Sequence, residues 1–428
     1  KYNGKEYKIE LNRIVAQPLL AGQNLQPQSD LIVDRTIHWN DYYKCWAQQA
    51  MNSQMHIINN SFSNDNLDKH CTYDLMARAI HPADHFPKTV LLPQFYAYTS
   101  DQMKQEMWEY QQGLIAKHTQ NGFDPMRSET DWEKVNSSLK RAMKHKEKSK
   151  RLREDFYYHG NYLKETVEEI FENKFPLFLK KSFGGGGSDV YKIDSLEELY
   201  QKYDTETNGR TFHLQEAVEN YETFVRCMAI GPQILPMRFV PEAPLHEHYS
   251  PEKLKLDKDI YFRLHHYVKF INSYMRWTYN SFEALVKDDK ISPIDFANAC
   301  PDSNFTSLHV HFPWLINALI KWFSFCAVTE KDMRRDLEQK RYLSFLNDKN
   351  MPQEKKFELY SQISDEYFET DKFNQFCEEN FADLDDKMIK FYDEHFEGII
   401  ATAIEFSDFP KNEHGRFYNE YKHLMDTT

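Results

Sequence analysis

The sequence predicts an α/β (α+β) fold of several segments within 428 residues. Three observations carry that expectation. Up to residue 95, short apolar strands alternate with helical stretches, the pattern of a parallel sheet. At Phe175 to Lys181 a short apolar stretch reads as a buried strand and runs into four consecutive glycines, Gly184, Gly185, Gly186 and Gly187. Beyond residue 330 the chain is helical and acidic. A length prior of roughly two to three domains fits this division: an N-terminal α/β segment (1–95), a charged helical insertion (96–160), a central α/β region (161–330) and a helical extension (331–428).

Composition narrows the function classes. With 31 Phe and 26 Tyr there is ample material for a large core. A net charge of −13 argues against general nucleic-acid binding by the surface. The six cysteines are scattered without a Cys-x-x-Cys pair, which fits reduced thiols in a cytoplasmic setting rather than a disulfide scaffold or structural zinc. No signal peptide is visible, although Lys1 is not an initiator. Phe312 to Val328 is the most apolar stretch. Lys321 interrupts it and it is too short to span a bilayer, so it reads as a core helix and no membrane partner is expected.

The elements follow in order. Leu31–Asp34, Met55–Ile58 and Lys88–Leu92 read as strands, with helices over 41–51 and 64–80. Arg35 and His38 follow a strand end, where open α/β sheets place ligands, or stand in a solvated loop. Residues 140–153 form a basic run, either a solvated helix face or a patch for an acidic partner or substrate. After the glycines comes a short helix from Leu196, capped by Asp194 or Ser195. Strands follow at 211–218, 222–230 and 233–240, then a helix over 258–275. A hairpin pairs 281–286 with 291–295. Arg238 reads as structural, and His246 and His248 as surface loop residues. In the extension, Phe373, Phe376, Cys377, Phe381, Leu384, Met388, Phe391 and Tyr392 share a helical stripe that is expected to pack on the body.

Glycine is scarce at 13, and four sit in one loop. Such a run has two readings: a flexible hairpin tip, or bare amides approaching an anion with lysine charge nearby. The rest of the constellation is Lys180 before the loop, the strand end Gln215-Glu216-Ala217-Val218, Glu222 beyond it, and the hairpin with Asn280, Glu283, Asp295 and Asn298. Lys181 is the alternative to Lys180, because neighbouring strand residues point to opposite faces.

This order of residues resembles the ATP-grasp superfamily. Leu31-Ile-Val-Asp-Arg35, Lys88-Thr-Val-Leu-Leu-Pro93 and Ser292-Pro-Ile-Asp-Phe-Ala-Asn-Ala-Cys-Pro-Asp302 look like an uncharacterised branch of it. The resemblance spans roughly residues 30–95 and 165–330. It implies a pre-ATP-grasp domain followed by two ATP-grasp lobes, with ATP and magnesium as cofactors. It implies that Lys180 and the loop glycines Gly184, Gly185, Gly186 and Gly187 handle the phosphates. Gln215, Glu216, Ala217 and Val218 then present the adenine hinge, and Glu222 the ribose contact. Glu283, Asp295 and Asn298 become the magnesium ligands. Asp68-Lys69 stands where an earlier phosphate-contacting lysine is expected, and Lys69, Arg226 and Arg35 are the catalytic candidates.

One departure concerns spacing. Most members carry the last acidic residue and the asparagine two apart, whereas Asp295 and Asn298 are three apart. On a regular strand those two residues face opposite ways, so the backbone must leave strand geometry after Phe296 if both bind metal. Likewise, a plain two-residue turn at 288–289 sets Glu283 opposite Ile294. A shared metal requires an odd-length turn, with Lys290 left-handed, or a bulge. The resemblance implies an ATP-dependent ligase joining a carboxylate, of a small molecule or peptide, to an amine or other nucleophile through an acyl phosphate. The alternatives are an ATP-grasp small-molecule kinase and a non-catalytic nucleotide-binding interaction protein.

Overall fold

The computed structural model describes residues 2–26, 29–36, 40–64, 69–92, 162–182, 189–206, 210–298 and 300–427, with isolated positions between 93 and 161. The architecture is mixed α and β with a helical C-terminal region, as the sequence predicts. By contact the chain divides into two compact units, one of residues 1–87 with 218–428 and one of residues 88–217. His38, Asp68 and the basic run, Arg141 apart, lie outside the described residues. So do all four loop glycines, Gly184, Gly185, Gly186 and Gly187, of which a phosphate-handling role is expected.

In the first unit, strands β1 (Ile32–Val33) and β2 (Ile57–Ile58) pair in parallel, joined through helix α1 (Asp41–Asn52). Asn40 caps α1, its Oδ1 accepting from the amides of Tyr42 and Tyr43. After β2, buried Asn59 accepts from the amides of Thr278 and Tyr279 at 2.8 and 2.9 Å and donates to the Tyr279 carbonyl at 2.8 Å. Asn60 then accepts from the amides of Phe62 and Ser63 and opens helix α2 (Ser61–Asn64). Helix α3 (Lys69–Ala79) follows, within the stretch expected to be helical over 64–80.

The second unit carries strand β3 (Thr89–Leu92), helix α4 (Tyr162–Glu169), strands β4 (Leu177–Lys181) and β5 (Val190–Ile193), helix α5 (Leu196–Glu206) and strand β6 (Phe212–Glu216). They form an antiparallel sheet in the order β3-β6-β4-β5. Alternate residues Leu177, Leu179, Phe212, Leu214 and Ile193 pack on Leu163, Val167, Leu199 and Tyr203 of the helices. Each such side chain contributes roughly 1.5–3 kcal/mol of burial. The sequence places β3 with the N-terminal strands; it pairs with β6 instead, because Val90 and Leu92 extend this apolar face. Ser195 is the cap of α5, its Oγ accepting from the Glu198 amide at 3.1 Å.

The first unit resumes with strands β7 (Thr223–Ile230) and β8 (Gln233–Arg238), helix α6 (Lys258–Met275) and strands β9 (Tyr279–Lys287) and β10 (Lys290–Asn298). Their sheet is antiparallel in the order β10-β9-β7-β8. Pro236 and Pro293 sit on its two edge strands, where a missing N–H is tolerated. Gly231 turns β7 into β8 with φ +59, and a Cβ there would collide with the Trp322 ring. One sheet face, with Val225, Cys227, Phe282, Ala284 and Phe296, packs on Leu264, Val268 and Ile271 of α6 and on Tyr73 and Met76 of α3.

Helices α7 (Phe305–Leu308), α8 (Phe312–Val328), α9 (Gln339–Leu346), α10 (Gln353–Phe368), α11 (Thr370–Asn380), α12 (Leu384–Glu405) and α13 (His414–Thr427) complete the chain. The apolar stripe expected to pack on the body divides. Phe373, Phe376, Cys377 and Phe381 join a core with Trp322 and Phe325. Phe391 is 46% exposed, because α12 packs through Ile400 and Ile404, further along, against Phe417 and Tyr421 of α13. His246, expected on the surface, packs edge-on against Phe409 and Phe417. Among the described residues no helix is long and apolar enough to cross a membrane.

Candidate active site

The hairpin of β9 and β10 sets the site. Lys287 pairs with Lys290 across a two-residue turn in which Asp288 and Asp289 have φ 48 and 59. Two left-handed residues make the tight hairpin turn whose twist suits antiparallel strands, and Asp tolerates that region better than most. The three-residue turn with Lys290 left-handed is therefore not used. Left uninterrupted, the observed turn would set Ile294 opposite Glu283. The register instead shifts between Pro293 and Asp295, and Asp295 faces Glu283. A second shift, between Asp295 and Asn298, sets Asn298 opposite Ser281. Each bulge adds one residue to β10 without a cross-strand partner. Asp295 and Asn298, three apart, thus oppose residues two apart and share their face.

Strand β7 extends the row. Arg226 stands directly opposite Glu283, so Arg226, Glu283 and Asp295 line up across three strands on the face away from α6. Arg226 meets Glu283 at 3.0 Å, with side chains 17% and 21% exposed. Its guanidinium also lies 5.0 Å over the Phe239 ring. Lys69, at the start of α3, meets Asp295 at 2.6 Å. Burial alone would lower the Lys69 pKa, but the charge and hydrogen bond of Asp295, with the charge of Glu283, carry it above its ordinary value. Arg226 behaves alike: burial opposes its charge, and Glu283 chiefly, among several anionic neighbours, holds it up. Asn298 donates from Nδ2 to the Ser281 hydroxyl at 3.0 Å.

Arg35, just after β1, is drawn to the segment following β10. Its Nη2 donates to the Pro301 carbonyl at 2.5 Å, and its guanidinium lies 4.8 Å over the Tyr279 ring. The Cys300 thiol donates to the Arg35 carbonyl at 3.3 Å. Glu222 is exposed beside the hairpin turn, its Oε1 accepting from the Asp288 amide at 3.3 Å. Arg238 reaches Glu252 at 3.7 Å.

In the second unit the two lysines of β4 diverge. Lys181 shares the apolar, helix-covered face with Leu177 and Leu179 and pairs with Asp189 at 2.9 Å. Lys180 points to the other face, donating to Gln215 Oε1 at 2.7 Å. Gln215 in turn donates to Thr89 Oγ1 at 2.8 Å. Glu216 accepts from the Lys88 amide at 3.0 Å. The unit ends at Ala217, and Val218 begins the return to the first unit.

The structure thus brings Lys69, Arg226, Glu283, Asp295 and Asn298 together and places Arg35 at the end of the same hairpin. The sequence reading missed Tyr73, whose hydroxyl donates to the Ile294 carbonyl at 3.0 Å. Its signal was its place four residues after Lys69, on the same helix face.

Among the described residues no three His, Cys, Asp or Glu side chains converge. The donor set on this face is two carboxylates and one amide. Such hard oxygen donors fit magnesium, which takes one or two carboxylates and completes its shell with water and phosphate oxygens. Each carboxylate carries a cation partner, which offsets its charge in the structure at hand.

No protein-family model and no curated protein matches the chain. Among solved structures it is similar to the D-alanine–D-alanine ligase of Bacillus anthracis complexed with ATP, with TM-score 0.42, 11% identity, and coverage of 70% of this chain and 81% of that one. It is similar to a RimK domain ATP-grasp protein of Sphaerobacter thermophilus, with TM-score 0.37, 11% identity, and coverage of 64% and 75%. It is also similar to the ATP-grasp ligase PsnB complexed with a minimal precursor, Mg and ADP, with TM-score 0.34, 11% identity, and coverage of 61% and 59%.

Proposed function

We propose that the chain is an ATP-grasp ligase that activates a carboxylate with ATP and passes it to an amine or other nucleophile. The observation that carries this reading is the row Arg226–Glu283–Asp295, closed by Lys69, on one face of an antiparallel sheet. In this reading Glu283, Asp295 and Asn298 hold magnesium, which when bound supplies positive charge to the transferring phosphoryl group. Lys69, Arg226 and Lys180 offset the remaining phosphate charge, and the amides of Gly184, Gly185, Gly186 and Gly187 do the same. The stretch Gln215–Val218 presents backbone groups to adenine, and Glu222 takes the ribose. Arg35, at the end of the hairpin, positions substrate. The substrate carboxylate attacks the γ-phosphorus, the bond to the bridging oxygen breaks, and ADP leaves. The nucleophile then attacks the acyl carbon and phosphate leaves. The protein contributes positioning and fixed charge and no covalent nucleophile. In this reading strand β3 and residues 161–330 carry the two nucleotide-handling lobes, on either side of the insertion (96–160), after an N-terminal domain, and residues 331–428 are an extension.

The test is phosphate release from Mg-ATP across panels of small-molecule and peptide acids, with and without amines. Release that needs both an acid and an amine supports the ligase. A stable phosphorylated product of one substrate supports a kinase instead. Failure to bind Mg-ATP refutes both.

A further inference from the structure

Turning Asp295 and Asn298 towards Glu283 interrupts the ladder twice, and each interruption leaves backbone groups to be satisfied. One buried side chain attends to each. At the first bulge, Tyr73 (2% exposed) donates from Oη to the Ile294 carbonyl at 3.0 Å. Its ring packs edge-on against Phe296 at 5.4 Å and Phe86 at 6.2 Å. Tyr73 stands one turn beyond Lys69, so α3 holds the carboxylate of Asp295 and the carbonyl before it at the same time. Burial, with the charges of Asp295 and Glu283, pushes the Tyr73 pKa well up, so the hydroxyl stays a donor.

At the second bulge the partner is Asn280, fully buried on β9. Its Nδ2 donates to the Phe296 carbonyl at 3.1 Å and its Oδ1 accepts from the Asn298 amide at 2.9 Å. Asn272 of α6 orients that amide by accepting from Nδ2 at 2.8 Å. A bulge without such partners would strand buried polar groups and favour the regular register, in which Asp295 faces the core.

We infer that Tyr73 and Asn280 are positioning residues for the metal carboxylates: they stabilise the two bulges that bring Asp295 and Asn298 onto the face of Glu283. This rests on the metal-binding reading proposed above.

The experiment compares full-length wild type, Tyr73→Phe and Tyr360→Phe. The control is matched, since Tyr360 donates from its hydroxyl to the Ala79 carbonyl at the far end of the same helix, in the same core. Mn2+ binding in the presence of ATP is followed by electron paramagnetic resonance of free Mn2+. Backbone hydrogen exchange over residues 292–298 is measured without metal. Tyr73→Phe is expected to weaken Mn2+ binding about tenfold and to speed exchange in that segment. Its KM for Mg2+ should rise while kcat at saturating Mg2+ is retained. Tyr360→Phe should do none of these. Unchanged exchange in Tyr73→Phe overturns the inference, as does equal loss of Mn2+ affinity in the two variants. If wild type binds no Mn2+, the metal reading falls, and the exchange data still decide whether Tyr73 holds the bulge.

Discussion

Replacing Arg226 with methionine removes the cation facing Glu283 at 3.0 Å while keeping an apolar stem against Phe239. Breaking a fully buried ion pair from one side costs about 3–5 kcal/mol, because the remaining charge stays desolvated. Here 17% and 21% of the two side chains reach solvent, and Lys69 still acts on Glu283, so solvent and a second cation screen the orphan. A cost of about 2 kcal/mol follows, roughly a 30-fold fall in the folding constant. Glu283→Gln alone should cost a similar amount, since it strands Arg226. The double variant strands neither charge and should be more stable than the sum of the single changes predicts, by about 1–2 kcal/mol. Urea denaturation of the four proteins at fixed pH and salt measures this coupling. Additivity within about 0.3 kcal/mol would refute the reasoning that the two side chains form one partly desolvated unit.

The nucleotide side is tested at β4: Lys180→Ala should weaken ATP binding by calorimetry far more than Lys181→Ala, whose side chain is committed to Asp189, and the reverse ranking contradicts the face assignment. Deleting Ala297 leaves Asp295 and Asn298 two apart, which on a regular strand share a face; Mn2+ binding with ATP should therefore survive, and its loss contradicts the register argument. Burial, with His311 beside His309 and Lys269 beside His266, holds both imidazoles down at about 4. Their folded pKa lies below the unfolded one, so their contribution is complete above pH 6.5 and is lost as pH falls through 6.5 towards 4, about 1–2 kcal/mol each by pH 5. The urea midpoint should therefore be lower at pH 5 than at pH 7, and an equal or higher midpoint at pH 5 counts against it.

The order of elements was legible because its signals are local. Short runs rich in apolar residues mark β4, β6 and β7, helix α6 spans the expected 258–275, and α8 starts close to the expected Trp314. Strand partnership was less legible. Nothing near Thr89–Leu92 says that its partner lies at residues 212–216, and that partnership decides the unit it joins. The requirement for a bulge could be derived from period-two geometry once Glu283 and Asp295 were set on one face. The second departure, after Phe296, follows from the three-residue spacing of Asp295 and Asn298; the place of the first does not, because the group that satisfies it, Tyr73, comes from a distant helix. The exposed Phe391 shows the limit of periodicity: a stripe names a face and does not name what covers it.

In the proposed function Glu283 and Asp295 hold the metal of a bound nucleotide. Titration of Mn2+ into the protein with ATP, followed by the signal of free Mn2+, probes these two carboxylates. Wild type should take up Mn2+ saturably only when ATP is present, and Glu283→Gln and Asp295→Asn should each weaken uptake by roughly 10–100-fold with the fold intact by circular dichroism. Uptake by both variants equal to wild type would remove both carboxylates from the metal site.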